Sequence, residues 1–90
     1  MICAVNRNSK RLFGVANPNK REILAFMRKN TPNGFGEGGI FDYVAGETIK
    51  QRDNGYEIGE LFYRDSDIYH FDKYDMELNP DFCKAVLKLI

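Results

Sequence analysis

The C-terminal segment LNPDFCKAVLKLI, residues 78–90, constrains the fold more than any other stretch of the chain. Asn79 suits a helix N-cap, Pro80 suits the first helical position, and Asp81 complements the positive end of the helix dipole. The apolar stripe of this predicted helix contains Phe82, Cys83, Val86, Leu87, Leu89 and Ile90. A helix with so broad an apolar stripe must pack against another layer of the protein.

A second amphipathic helix is predicted over residues 19–29, within NPNKREILAFMRKN. Asn17 or Asn19 can cap it, and Glu22 follows Asn19 by three residues, as in a capping box. Pro32 disfavours helical backbone at the residue before it, so the helix must end near residue 30.

The remaining segments have the short apolar or alternating patterns of strands. Residues 2–5 and 11–16 predict a hairpin, and residues 48–49 and 56–58 predict a second hairpin around Asp53-Asn54-Gly55. Residues 68–71 alternate and predict a further strand, which completes a three-stranded meander. The predicted class is therefore α+β, with a mainly antiparallel sheet of about five strands in the order β-β-α-β-β-β-α and two helices packed on it.

The length of 90 residues predicts a single domain over residues 1–90 with one core. The opening apolar run covers only five residues, which is too short for a signal peptide or a membrane span. Cys3 and Cys83 lie in apolar surroundings and are predicted to be reduced thiols, although a disulfide between the two ends of the chain stays an alternative. A cytoplasmic location is the expectation.

Residues 34–39 contain four of the eight glycines. A glycine-rich loop binds phosphate when it leads directly into a helix. Here an apolar strand-like segment follows, and Glu37 would repel an anion. We interpret the loop as a flexible connection; a phosphate loop and another kind of binding loop are the alternatives.

The charges are distributed unevenly along a chain whose formal net charge is zero. Residues 1–33 carry seven basic groups and one acidic group, a net of +6, whereas residues 34–90 carry six basic and twelve acidic groups, a net of −6. The two parts either neutralise each other across the fold or form separate patches. Separate patches would steer different partners or join copies of the chain in a homo-oligomer.

Residues for catalysis are scarce, because His70 is the only histidine in the chain. Asp65, Asp67 and Asp72 lie close to it in sequence, but the segment lacks the glycine and the closing glutamate of a calcium loop. We predict no catalytic residue, metal or cofactor. A small enzyme or metal-dependent protein centred on His70 is the third functional hypothesis.

Basic residues of the first third support a second hypothesis, a nucleic-acid-binding domain that contacts phosphates. Its candidate residues are Arg7, Lys10, Arg11, Lys20, Arg21, Arg28 and Lys29. The acidic remainder of the chain would repel the same nucleic-acid backbone, so nucleic acid is the less favoured partner.

The leading hypothesis rests on RDSDIYHFDKYD, residues 64–75, where tyrosines alternate with carboxylates. Exposed tyrosines anchor protein partners, while surrounding carboxylates steer a basic surface toward them. The predicted protein-binding residues are Tyr63, Asp65, Asp67, Tyr69, Asp72, Tyr74, Asp75 and Glu77. The expected function is a small protein-binding module, an inhibitor, immunity or anti-defence factor or adaptor of the kind that phages and mobile elements encode. Its partner would be a basic protein, possibly one that handles nucleic acid.

Overall fold

Three helices and five strands are present in the computed structural model, which describes residues 1–6 and 8–90. In chain order they are β1 Ile2–Cys3, α1 Lys20–Lys29, β2 Gly39–Asp42, β3 Glu47–Arg52, β4 Gly55–Ile58, β5 Leu61–Arg64, α2 Asp65–Tyr74 and α3 Pro80–Leu89. The predicted α+β class is confirmed. The order of elements differs from the prediction in three ways: residues 68–71 lie in a third helix, residues 11–16 form no strand, and β2 and β5 are strands that the predicted order lacks. The five strands also belong to two sheets and not to the one sheet that the sequence predicts.

The strands form two separate sheets. In the larger sheet, β5 lies between β1, to which it is parallel, and β4, to which it is antiparallel. The smaller sheet is the antiparallel hairpin of β2 and β3, whose turn ends at Gly46 with a φ of 72°. This hairpin packs against α2 through β2.

The helices α1 and α3 lie where the sequence predicts them. Asn79 caps α3, because its side-chain oxygen accepts a hydrogen bond from the Asp81 amide. Asn79 also donates to the carbonyl of Cys3, which fixes the start of α3 beside β1. The predicted cap of α1 by the Asn19 side chain is not formed; the Asn17 side chain instead accepts a hydrogen bond from the Asn19 amide.

Residues 68–71 lie in α2, so the predicted third strand of the meander is wrong. Two carboxylates bond backbone amides at the start of α2 and so favour a helix there. Asp53, from the chain after β3, accepts a hydrogen bond from the Ser66 amide, and Asp67 accepts one from the Arg64 amide. The buried side chains His70 and Phe71 are consecutive, so both can face the interior from a helix, whereas a strand would point them to opposite faces. The alternation was ambiguous in so short a segment.

The two predicted hairpins are also wrong. Residues 11–16 form no strand; Gly14 and Val15 instead donate backbone hydrogen bonds to Tyr74 and Asp75, at the end of α2. The segment from Asp53 to Gly55 joins β3 to β4 across the two sheets. Gly55 does not have the positive φ that a tight hairpin turn would need, and its backbone is paired with Gly34.

The hydrophobic core lies between the larger sheet and the helices. Its buried residues are Ala4, Ile23, Leu24, Phe26, Met27, Tyr56, Leu61, Tyr63, Phe71, Met76, Leu78, Phe82 and Val86. Tyr56 stacks on Tyr63 with ring centroids 4.6 Å apart, and Phe82 meets the Tyr63 ring edge-on. Cys3 and Cys83 are free thiols, and burial raises the pKa of Cys83.

Candidate functional site

Tyr63 does not lie on a binding face, which corrects its predicted role as an exposed anchor. Its side chain is fully buried. The hydroxyl donates a hydrogen bond to the carbonyl of Met27 and accepts one from the Asn30 side chain. These bonds fasten β5 to the end of α1, so the role of Tyr63 is structural.

Two carboxylates of the predicted acidic face are paired with basic residues of α1. Asp72 lies 2.7 Å from a guanidinium nitrogen of Arg28, and Asp75 lies 2.6 Å from the ammonium group of Lys20. Both pairs are partly exposed and join α1 to the C-terminal part of α2. At this place the basic and acidic parts of the chain neutralise each other, as one of the two sequence interpretations expects.

Asp65 and Asp67 serve the start of α2. Asp65 accepts hydrogen bonds from the Tyr56 hydroxyl, at 2.6 Å, and from the Asn54 amide, at 3.0 Å. Burial and the hydrogen bond to Asp65 raise the pKa of Tyr56. Asp67 accepts from the Arg64 amide, but burial dominates and raises its pKa to about 6. Asp65 therefore joins the start of α2 to the strands beside it, whereas Asp67 bonds the helix start at the cost of burying its charge.

The side chains of Tyr69 and Tyr74 both reach the carboxylate of Asp42, a residue that the sequence did not indicate as part of a site. Each hydroxyl donates a hydrogen bond of 2.6 Å to the same Asp42 oxygen. The other oxygen accepts from the amides of Val44, at 2.9 Å, and Ala45, at 2.8 Å. Asp42 is 1% exposed, so a buried carboxylate joins α2 to the turn of the β2–β3 hairpin.

The hydrogen bonds determine the charge of Asp42. Burial by itself would raise its pKa, but the bonds from Ala45, Tyr69, Tyr74 and Val44 together outweigh burial and hold the pKa below its ordinary value. The Tyr74 hydroxyl responds in the opposite direction, because its hydrogen bond to Asp42 raises its pKa to about 12. The cluster is thus an anionic carboxylate to which two phenol hydroxyls donate. The sequence signal was an aspartate directly before a turn, where its side chain can bond the amides that follow.

His70 is a second link between α2 and the hairpin. Its Nε2 lies 3.0 Å from the Tyr43 amide and accepts a hydrogen bond from it, which leaves the proton on Nδ1 to be donated to the Ser66 carbonyl at 2.8 Å. Both ring nitrogens are engaged with backbone and the ring is 1% exposed. Among residues 1–6 and 8–90, no group of three or more histidine, cysteine and carboxylate side chains is arranged to hold a metal ion.

Apolar side chains are exposed on the part of the hairpin that Asp42 and His70 hold in place. Phe41, Tyr43 and Val44 are 44%, 48% and 51% exposed, and the Phe41 and Tyr43 rings meet edge-on with centroids 5.3 Å apart. The guanidinium of Arg11 lies over the Tyr43 ring, 4.4 Å from its centroid. We call Arg11, Phe41, Tyr43 and Val44 the hairpin-tip surface. No sequence pattern indicated this surface, because Phe41 lies in β2, Tyr43 and Val44 lie in the turn after it, and Arg11 belongs to a segment predicted to form a different hairpin.

The basic residues proposed for nucleic-acid binding are only partly available. Lys20 and Arg28 are engaged in the ion pairs with α2. Arg11 is held over Tyr43, whereas Lys10, Arg21 and Lys29 are exposed. Arg7 lies outside the described residues.

The glycine-rich loop, residues 34–39, packs closely against the chain that follows β3. A Cβ at Gly36 would lie 2.2 Å from the Asp53 carbonyl oxygen, and one at Gly39 would lie 2.4 Å from that of Ile49. Gly34 pairs with Gly55. These glycines permit close backbone approach, which differs from the flexible connection that the sequence predicts.

Glu77, the last of the predicted binding residues, is exposed, and its amide donates to the Leu12 carbonyl. No helix among the described residues is long and apolar enough to cross a membrane. Scans against protein-family models, curated proteins and solved structures gave no match to this chain.

Proposed function

We propose that this protein is a small protein-binding module and that the hairpin-tip surface is its binding site. The observation that carries the proposal is the combination of exposed apolar side chains with a buried polar anchor. Phe41, Tyr43 and Val44 are about half exposed, while Asp42, between them in sequence, is buried and accepts four hydrogen bonds.

Rigid presentation favours binding, because a surface that is already ordered loses less conformational entropy when a partner docks. Asp42 and His70 hold the turn backbone at three amides, those of Tyr43, Val44 and Ala45. Aromatic and arginine side chains are enriched at the energetic centres of protein interfaces. The hairpin-tip surface contains two aromatic rings and the stacked Arg11.

The proposal retains the expected class of function, an inhibitor, immunity factor or adaptor, but assigns the acidic residues a different part. The Asp42 carboxylate accepts hydrogen bonds from the hydroxyls of Tyr69 and Tyr74. Asp72 and Asp75 form ion pairs with basic side chains of α1. Tyr69 and Tyr74 thus support the hairpin, and Asp72 and Asp75 hold α2 to α1, instead of contacting the partner. With Arg11 at the surface and Lys73 beside Tyr69, the surface suits an apolar partner surface that carries carboxylates.

A binding role is proposed in preference to catalysis because the polar groups of the cluster are occupied. Both nitrogens of His70 bond to backbone groups, and the Tyr74 hydroxyl donates its proton to the carboxylate of Asp42. A general base or a nucleophile needs a free lone pair directed at a substrate.

Site-specific photocrosslinking in cells of the source organism tests the proposal. A benzophenone-bearing residue is placed at position 44, on the hairpin tip, and in a matched variant at position 57, an exposed position on β4. We expect a covalent adduct with one protein from position 44 and not from position 57. Equal adducts from both positions, or none from position 44, would contradict the proposed site.

A further inference from the structure

A second surface, remote in sequence from the hairpin tip, is a groove of about 660 Å³ between α3 and the turn that joins β4 to β5. Ile2, Ile58 and Leu61 supply apolar side chains on the sheet side of the groove. Ala85 and Leu89 line it from α3, and Leu89 is 60% exposed. An apolar groove beside an exposed leucine is a surface that another molecule can cover.

The stripe of α3 that lines the groove carries opposite charges at its two ends. Asp81, Lys84, Ala85 and Lys88 all line the groove and lie at helical spacings of three, four and seven residues, so they share one face of the helix. Asp81 and Lys88 are at opposite ends of this stripe, separated by about 10 Å along the helix axis. The small residue Ala85 is close to the middle, where it permits a second helix to approach.

The charged ends of this stripe are complementary to those of a second stripe that runs in the opposite direction. If a second α3 lies antiparallel across the first, with a two-fold axis between Lys84 and Ala85, then Asp81 of each copy faces Lys88 of the other. The same arrangement sets Lys84 opposite Ala85, and Glu60 adds a carboxylate to the lining of the groove that Lys84 shares. A two-fold symmetric contact needs this kind of self-complementarity, because every pair of facing residues occurs twice, once on each side of the axis.

We propose that the occupant of this groove is a second copy of the chain, bound through antiparallel α3 helices. Leu89 of one copy then covers apolar groove surface of the other, and two ion pairs between Asp81 and Lys88 fix the direction. No residue of the hairpin-tip surface lines the groove. The dimer would therefore present two hairpin tips to partners.

Sedimentation velocity of the full chain, over a concentration series up to about 1 mM, tests this arrangement. The parent should shift toward twice the monomer mass. Lys88→Asp and Asp81→Lys should each weaken the dimer by about tenfold, because each reversal places like charges together twice, and the double variant should recover the parent affinity. Lys50→Asp is the matched control, an equal charge change on exposed β3 outside the groove.

Ala85→Arg provides a second arm that does not depend on charge pairing. Its long side chain should block the approach of the helices and leave a monomer with the parent's circular dichroism spectrum. A parent that stays monomeric throughout the series overturns the proposal. So does a dimer that tolerates Ala85→Arg, or one whose single charge reversals are not rescued by the double variant.

Discussion

The hydroxyl of Tyr69 donates a hydrogen bond of 2.6 Å to the carboxylate of Asp42, 27 residues earlier in the chain. This contact joins the middle of α2 to the end of β2, and Tyr74 makes an equivalent bond to the same oxygen. Because the β2–β3 hairpin belongs to neither the larger sheet nor the main core, such polar links hold it in place.

Asp42→Asn should loosen the hairpin. An amide has one acceptor oxygen and adds an N–H group, so it cannot replace a carboxylate that accepts four hydrogen bonds. We expect faster hydrogen exchange at Val44 and Ala45 and a lower melting temperature. Asp72→Asn, which removes only an exposed ion pair, should leave exchange in the hairpin unchanged. Equal protection of the turn in the parent and in Asp42→Asn would contradict the anchoring role.

Tyr63→Phe should lower stability without changing partner binding. The variant removes a buried hydroxyl that donates to the Met27 carbonyl and accepts from Asn30, so the Met27 carbonyl loses this partner while Asn30 keeps its bond to the Phe26 carbonyl. The expected loss is about 1–3 kcal/mol in the free energy of unfolding by urea. Unchanged stability together with weakened binding would show that Tyr63 contacts the partner.

Gly36→Ala and Gly38→Ala should differ sharply. The new methyl group at position 36 would lie 2.2 Å from the Asp53 carbonyl oxygen, whereas position 38 has nothing within 4 Å. We expect Gly36→Ala to cost about 1–3 kcal/mol and Gly38→Ala to be close to neutral. Comparable urea midpoints for the two variants would mean that the loop is the flexible connection expected from its composition.

Asp67→Asn should raise stability at neutral pH. Since burial raises the folded-state pKa of Asp67 to about 6, the folded protein binds more protons than the unfolded chain between pH 3.8 and about 6. Stability is therefore lost as pH rises through this window, by up to about 3 kcal/mol, and by less where solvent reaches the carboxylate. Asparagine keeps an acceptor for the Arg64 amide but has no charge.

Urea unfolding of the parent and Asp67→Asn at several pH values tests that sign. The gain from the substitution should be present above pH 6 and vanish below about pH 4. A variant that is less stable than the parent at pH 7 would show that the Asp67 charge favours the helix start more than burial opposes it.

The sequence predicted the elements whose signals are local. The cap at Asn79, the proline at position 80 and the stripe of Phe82 and Val86 specify α3 without reference to the rest of the chain. The class α+β follows from two such helices and several short strand-like segments. Pairing of the strands did not follow, because β1 pairs with β5 across nearly 60 residues and no local signal encodes that partner.

The site was harder to predict for the same reason. The sequence indicated which residues carry tyrosine hydroxyls and carboxylates, but not that Tyr69 and Tyr74 point at Asp42. Both hydroxyls reach Asp42 only because residues 65–74 form α2 and α2 packs against β2. Exposure of Tyr43 and Val44 likewise depends on a turn whose position follows from the register of β2 with β3.

The most direct test of the proposed function is the affinity of the crosslinked partner, purified and titrated by calorimetry, for two matched variants. Tyr43→Ser removes an exposed ring of the hairpin tip, and Asp72→Lys reverses a charge on the formerly expected acidic face. Loss of an anchoring side chain typically costs 2 kcal/mol or more, so Tyr43→Ser should weaken binding by about thirtyfold or more. Asp72→Lys should stay within about threefold of the parent. Parent-like affinity for Tyr43→Ser with a large loss for Asp72→Lys would contradict the account and return the binding site to the acidic face.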